Sequence, residues 1–414
     1  MRILVVSQHF WPESFRINQV VSSLIKQGCE VTVLAGQPNY PAGITYAGYS
    51  SFGAGVEIHP EGYSIVRVPE LPRGTGRARQ LIANYLSFVV AGCLLGPFFL
   101  FGRKFDLIFV YGTSPILQAI PAIVLKWLKR ARLVLWVQDL WPESLEATGY
   151  VRNKTVLNLV GSVVRWIYRR ADLILGQSEA FVTAIRPMAG TVPIAYHPNP
   201  GETFDGLDDS APAYRLDPGF NVVFAGNMGK AQGMMTLVEA AEKLRGEEDI
   251  RLVLVGDGAL AEALRQRVNE LGLRNVVFAG RFPPETMPGI LAQASALLVS
   301  LADYPILNMT VPSKVQSYLS AGRPIIASMN GEGARIIAES GAGVTCPADD
   351  AEALAQCILD LRGQSPEARL AMGESGRAYH RQHYEPEALG AKLRSHFART
   401  LGTASGGKDS DGRD

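Results

Sequence analysis

Short apolar runs alternate with amphipathic stretches along almost the whole chain, and this alternation restricts the fold more than any other feature. Residues 3–6 are an unbroken apolar run, the pattern of a strand covered on both faces. A helical stretch follows at 17–26, with Val20, Val21, Leu24 and Ile25 on one stripe and Gly28 at its stop. Residues 31–35 form the next strand. The unit recurs as strand 107–110, helix 116–129, strand 132–137, helix 156–169 and strand 173–176. Strand–helix–strand repetition of this kind predicts an α/β fold with a doubly wound parallel sheet.

The repetition breaks once. Residues 201–219 are polar and rich in Gly, Pro and Asp, and read as an interdomain linker. Strands are then expected at 221–225, 251–255, 276–279, 296–300 and 324–327. Helices are expected at 236–244, 260–271, 284–294 and 313–320, with a last one at 386–401. A chain of 414 residues with 47% apolar content can fill two such cores. The boundaries are therefore a first domain at 1–200, a linker at 201–219, a second domain at 220–385 and a closing helix at 386–401. The tail 402–414 is almost free of apolar residues and is expected to be disordered.

Charge separates the halves. The net charge of +1 argues against a nucleic-acid binder, but residues 1–200 carry +8 and the remainder −7. A basic first half suits an anionic surface or substrate. Residues 81–101 are nearly continuously apolar and lie between Arg73, Arg77, Arg79 and Arg103, Lys104. The length suits a bilayer span. A crossing would however put strands 3–6 and 107–110 on opposite sides of the membrane, although both belong in one sheet. A core helix and a helix lying in the interface both remain open, and the basic excess favours peripheral membrane contact through 73–104. Arg165, Trp166, Arg169 and Arg170 would add to that surface. The scattered Cys29, Cys93, Cys346 and Cys357 form neither a disulfide framework nor a zinc motif, and a cytoplasmic location is expected.

Ligands of open α/β sheets sit beyond the carboxyl ends of the strands, so chemistry is expected on the loops there. In the second half, Gly226, Asn227, Gly229, Lys230, Gln232 and Gly233 follow a strand and open a helix, where backbone N–H groups and a lysine suit a phosphate. Ser313 and Lys314 follow Pro312 at another helix start. Gly331, Glu332 and Gly333 form a third, weaker loop. In the first half, Trp11 and Glu13 follow the first strand, and Asp139 and Glu143 follow a later one. Rings that stack on C–H faces, beside carboxylates that take hydroxyls, suit a sugar acceptor; Asp139 is equally a candidate helix cap. No G-x-G-x-x-G follows the first strand and no P-loop is present, which argues against a nicotinamide dehydrogenase and a P-loop enzyme. No cofactor and no metal site are expected.

Five segments taken together resemble the retaining GT-B glycosyltransferases of family 4, in their bacterial surface-polysaccharide branch. They are Pro38-Asn-Tyr-Pro41, Asp139-Leu-Trp-Pro-Glu143, Gly226-Asn-Met-Gly-Lys-Ala-Gln-Gly233, Pro312-Ser-Lys314 and Ala321-Gly-Arg-Pro-Ile-Ile-Ala327. That branch includes L-fucosamine transferases of O-antigen and capsule assembly and transferases of colanic acid assembly. The resemblance implies two facing Rossmann-like domains with a C-terminal helix crossing back. It implies a nucleotide-sugar donor, UDP-linked, in the second domain and a lipid-linked saccharide acceptor, undecaprenyl-diphosphate-linked, at the first, with retention at the inner face of the cell membrane. The chain departs from the family pattern. Asn227 and Gln232 stand where basic residues are usual, and Met309 and Ser317 where a glutamate pair is usual. Lys314 and Lys230 then remain to neutralise the diphosphate, and Lys314 and Asp139 are the candidates for catalysis. The alternatives are a sugar-nucleotide 2-epimerase, which shares this architecture, and a non-catalytic nucleotide-sugar-binding partner of a membrane assembly.

Overall fold

The computed structural model describes residues 1–147, 153–202, 204 and 213–402. Residues 403–414 of the expected disordered tail, and residues 203 and 205–212 of the expected linker, lie outside the described residues. The chain divides into two compact units, one of residues 1–198 with 386 onward and one of residues 199–385.

The first unit is built on an eight-stranded sheet. Its strands are β1 (Arg2–Val6), β2 (Glu30–Ala35), β3 (Gly55–Ile58), β4 (Ser64–Arg67), β5 (Leu107–Gly112), β6 (Arg132–Val137), β7 (Leu173–Gly176) and β8 (Ile194–Tyr196). They lie in the order β3-β4-β2-β1-β5-β6-β7-β8, all parallel except the β3–β4 pair. The order of the strands reverses its progression between the parallel neighbours β1 and β5, whose register pairs Ile3 with Leu107. That is the switch point at which such sheets open a crevice. The sequence pattern did not predict β3 and β4. Each is four residues long; β3 leaves Val56 and Ile58 exposed, and the buried stretch 65–67 of β4 is short and ends on a charged residue.

Alternation along the strands gives the sheet two covered faces. Ile3, Val5, Phe109 and Trp136 pack against the helix Arg16–Lys26 and against Leu393 and Phe397 of the helix Pro386–Thr400. The last helix thus completes the core of the unit that the chain began, and Gly390 lets it approach Ser23 closely. Phe397 is fully buried, and truncating such a ring costs about 3–5 kcal/mol. On the other face lie the helices Ala78–Phe99, Ala119–Lys129 and Lys154–Tyr168, in lateral contact in that order.

The helix Ala78–Phe99 inverts the usual arrangement. Its inward row is Asn84, Phe88, Gly92 and Gly96, all buried, with Gly92 set against Pro121 and Gly96 against Leu34. Its outward row is Ile82, Leu86, Val90, Leu94 and Phe98, all exposed, with Leu94 at 70% and Phe98 at 71%. Both rows run at four-residue spacing, so each is one face of one helix. The helix is long and apolar enough to cross a bilayer. Both of its flanking strands, β4 and β5, however belong to the same sheet, which excludes a crossing.

The second unit has a six-stranded parallel sheet: β9 (Phe220–Ala225), β10 (Ile250–Val255), β11 (Val276–Gly280), β12 (Ala296–Ser300), β13 (Ile325–Ser328) and β14 (Gly343–Cys346). The order β11-β10-β9-β12-β13-β14 is the doubly wound Rossmann arrangement, with its switch point between β9 and β12. Both units are therefore Rossmann-like α/β domains.

Candidate functional site

In the second unit a cavity of about 830 Å³ opens at the carboxyl ends of β9, β10 and β11 and at the start of the helix Ser313–Ala321. Of the expected donor residues, Gly226, Asn227, Gln232, Ser313 and Lys314 line it. Gly229, Lys230 and Gly233 belong to the same loop but do not line the cavity, and Lys230 is exposed to solvent. The Gln232 carboxamide oxygen accepts from the Gly229 N–H at 3.1 Å and closes the loop.

Lys314 is the central group. Its Nζ is buried, has no hydrogen-bond partner among the described residues, and lies 3.5 Å from the centroid of the Phe224 ring. Burial brings its pKa down to about 7. The ring face offsets part of the lost hydration, since its quadrupole attracts a cation. Gly226 makes this position accessible: its φ is 136°, and a Cβ there would come within 2.5 Å of Lys314 Cε. Among the described residues no side chain caps the helix Ser313–Ala321, whose N-cap residue is Pro312. Ser313 is the first helical residue. The first backbone N–H groups therefore face the cavity mouth with the positive end of the helix dipole. An uncapped helix start beside an unpartnered buried amine suits an anion.

The cavity also takes in residues that the sequence reading did not single out. Gly256, Asp257 and Gly258 follow β10, and Arg281 and Phe282 follow β11. The rule that selected residues 226–233 would have selected them too, since each group directly follows an apolar run. Tyr318 is a further lining residue; its hydroxyl accepts from the Ala225 N–H at 2.9 Å and fixes the end of β9.

Gly331, Glu332 and Gly333 are a correction. They do not line the cavity but begin the helix Glu332–Ser340. A Cβ at Gly331 would meet the Asn308 carbonyl at 1.9 Å, and one at Gly333 would meet Met329 Sδ at 2.4 Å, so neighbouring chain demands these glycines. Glu332 is engaged by Arg335 at 2.8 Å.

In the first unit the expected acceptor residues divide. Glu13 is a second correction. Its carboxylate is 1% exposed and accepts from the backbone N–H groups of Asn39 and Tyr40 at 2.7 Å each, and from Phe10 N–H and His9 Nδ1–H at 3.2 Å. Every lone-pair direction is used, so Glu13 joins the loop after β1 to the loop after β2 and offers nothing to a hydroxyl. Trp11 is half-buried, edge-on to His59 at 5.0 Å.

Asp139 follows β6 and accepts from the Ser114 and Ser144 hydroxyls, one on each oxygen. Trp141 Nε1–H donates to Ser114 Oγ at 2.8 Å, extending the chain of bonds. Asp139 thus holds two hydroxyls, one on each carboxylate oxygen. Glu143 Oε2 is buried with no hydrogen-bond partner among the described residues. Ser114 follows β5 and Asp139 and Glu143 follow β6, so the cluster sits at adjacent strand ends beside the β1–β5 switch point.

The match with known proteins is divided in the same way as the chain. The glycosyl transferase 4-like domain matches residues 14–200 and the glycosyl transferases group 1 domain matches residues 219–363. The probable glycosyltransferase WbjE of Pseudomonas aeruginosa is 29% identical over 274 residues, 63% of this chain and 68% of that one. The putative colanic acid biosynthesis glycosyl transferase WcaI of Escherichia coli (strain K12) is 26% identical over 343 residues, 78% of this chain and 82% of that one. Among solved structures, sucrose-phosphate synthase from Thermosynechococcus elongatus superposes with a TM-score of 0.72 at 18% identity, covering 97% of this chain and 100% of that one. HepE of Anabaena in complex with UDP superposes with a TM-score of 0.66 at 14% identity, covering 96% and 100%. The chain is a glycosyltransferase of the GT-B type, related to enzymes of polysaccharide biosynthesis.

Proposed function

We infer that this enzyme moves a sugar from a UDP-linked donor to a lipid-linked saccharide acceptor, with retained anomeric configuration, at the cytoplasmic face of a membrane during surface-polysaccharide synthesis. The observation that carries the donor half is Lys314: a buried, unpartnered Nζ beside an uncapped helix start is suited to a diphosphate. HepE, a relative in fold, is solved with UDP, which supports the base. WcaI is named for colanic acid biosynthesis, which supports the polymer.

The chemistry needs no protein nucleophile. As the bond from the anomeric carbon to the phosphate oxygen breaks, the acceptor oxygen bonds to that carbon on the same face. The acceptor proton passes to the departing phosphate oxygen. Lys314 as an ammonium, with the first N–H groups of its helix, holds the charge that develops on the diphosphate. In the first unit, Glu143 would take an acceptor hydroxyl, while Asp139 holds Ser114 and Ser144 in place.

The acceptor half rests on the helix Ala78–Phe99. Its exposed apolar row, with Arg77 and Arg79 at one end and Arg103 and Lys104 beyond the other, suits a helix lying in a bilayer interface. The test is a nucleotide-release panel with membrane extract as acceptor, varying base and sugar and including N-acetyl-L-fucosamine. Release of UDP that depends on lipid acceptor is expected. Release that needs no acceptor, with interconversion of the free nucleotide sugar, would replace transfer by epimerisation.

A further inference from the structure

A second cavity, of about 850 Å³, lies at the opposite end of the first unit's sheet from the acceptor residues, where β6 begins. It is lined by Lys126, Trp127, Arg130, Arg132, Arg169 and Arg170, among others. The local accounting leaves positive charge over. Asp172 pairs with Lys126 at 2.7 Å and with Arg132 at 2.9 Å. Lys126 also donates to the Arg170 carbonyl at 2.6 Å. Arg130, Arg169 and Arg170 meet no carboxylate among the described residues, and the Arg170 guanidinium stacks on Trp166 at 4.2 Å.

Cations at helix C-termini ordinarily complement the helix dipole. Lys126 and Arg170 do so, through carbonyl bonds. That account covers neither Arg130 and Arg169, which make no such bond among the described residues, nor Trp127, which is 80% exposed. The neighbouring surface supplies the missing part. The helices Ala78–Phe99, Ala119–Lys129 and Lys154–Tyr168 form one layer, and each exposes large apolar residues: Leu94 and Phe98 on the first, Trp127 and Leu128 on the second, Leu159 and Trp166 on the third. Lys129 Nζ donates to the Leu100 carbonyl at 2.6 Å, which ties the end of the first helix to the end of the second. The cationic cavity therefore opens where an apolar helical layer ends, with two indole rings at the border. Indoles settle at the headgroup level of a bilayer, and planar guanidiniums hold phosphates with paired bonds.

We propose that this cavity is a docking site for the phosphate headgroup of an anionic membrane phospholipid, seated while the three-helix layer lies on the bilayer. The proposal rests on the peripheral-membrane reading above and adds to it a lipid preference and the residues that exert it. It commits to a bilayer lipid because the cations border the apolar layer; a soluble phosphate would gain nothing from the exposed Leu94, Phe98 and Trp127.

The test is co-sedimentation of the full-length protein with vesicles of phosphatidylcholine alone and of phosphatidylcholine with about 30% phosphatidylglycerol, near physiological salt. The protein should partition to the phosphatidylglycerol vesicles. The triple variant Arg130→Ala, Arg169→Ala, Arg170→Ala should lower that partition about ten-fold or more. A control, Arg265→Ala, Arg267→Ala, Arg274→Ala, removes the same charge from the second unit and should bind as wild type. All six side chains lie at the surface or beside it, and UDP binding and the thermal midpoint, measured alongside, should be unchanged in both variants. Equal partition to both vesicle types, or an equal loss in both triple variants, would overturn the headgroup site while leaving membrane attachment intact. Binding to neither vesicle would overturn both the attachment and the site.

Discussion

Replacing Lys314 by Met tests the donor assignment with opposite effects on stability and turnover. The Lys314 ammonium has a pKa of about 7 in the fold against 10.5 for the free side chain, a shift caused by burial. A cation with a depressed folded pKa costs stability as pH falls from 10.5 through 7. Linkage puts that cost at roughly 2–5 kcal/mol at neutral pH, the upper figure taking the whole shift. Met keeps the length and the contact with Phe224 and removes the amine, so the variant should unfold at an equal or higher temperature. Turnover should fall about a hundred-fold or more, the scale for one lost contact to a developing anion. Proton linkage is the sharper assay. A bound diphosphate favours the charged amine, so UDP binding at about pH 8 should take up close to 0.9 proton, and affinity should fall about ten-fold per pH unit above 7. Calorimetry in buffers of different ionisation enthalpy reads this uptake directly. In the Met variant the uptake should vanish. Wild-type turnover in that variant, or uptake that survives the substitution, would refute the assignment.

Two further expectations concern the first unit. Glu143→Gln should raise the acceptor KM while leaving UDP affinity unchanged, because the buried Oε2 that it alters belongs to the cluster proposed to take the acceptor; unchanged acceptor kinetics would make Glu143 a packing residue. Stability should respond to pH in two opposed ways. Burial holds His396 at a pKa of about 4 and His197 well below its ordinary value, so stability is full above about 6.5 and is lost as pH falls toward 4, by at most about 3 kcal/mol for His396. Burial raises Glu70 to about 7, so its contribution is present below about 4.5 and is lost as pH rises to 7. Glu70→Gln removes the second trend alone, and its thermal midpoint should fall more steeply than wild type between about pH 7 and pH 5. A shallower fall would mean that Glu70 is ionised in the fold.

The parallel sheets were legible because buried strands such as β1 and β9 are continuous apolar runs, and two covered faces demand such runs. β3 and β4 were not, because both are only four residues long, β3 leaves Val56 and Ile58 exposed, and the buried stretch of β4 ends on Arg67. The cavity of the second unit was half legible. Strand-end glycines pointed to residues 226–233, but the same signal at Gly331 had a different cause, the close approach of the Asn308 backbone. A one-dimensional pattern shows that a glycine is required and not what requires it. Glu13 failed for a related reason. A carboxylate at a strand end reads as available, and its consumption by the N–H groups of Asn39 and Tyr40 depends on a loop 26 residues away in sequence. Lys314 was identified by its place at a helix start, but its neutralising burial against Phe224 is a tertiary fact.

The charge of the two halves points the same way once the sites are in place. An anionic donor assigned to the half with net charge −7 cannot be held by the general field of that half; it needs local groups. The second unit supplies them in concentrated form, as one helix start and one amine whose pKa burial brings down to about 7. An amine there that was permanently charged and unpaired would cost more stability, and a fully neutral one would do little for the leaving diphosphate. A pKa near 7 lets the ligand itself complete the charge, so the electrostatic stabilisation develops where the diphosphate sits. The +8 half has the complementary task on this reading, since its arginines face a surface whose charge is diffuse and extended. Long-range attraction suits a membrane, and short-range desolvated charge suits a leaving group. The asymmetry follows from the different geometry of the two anions.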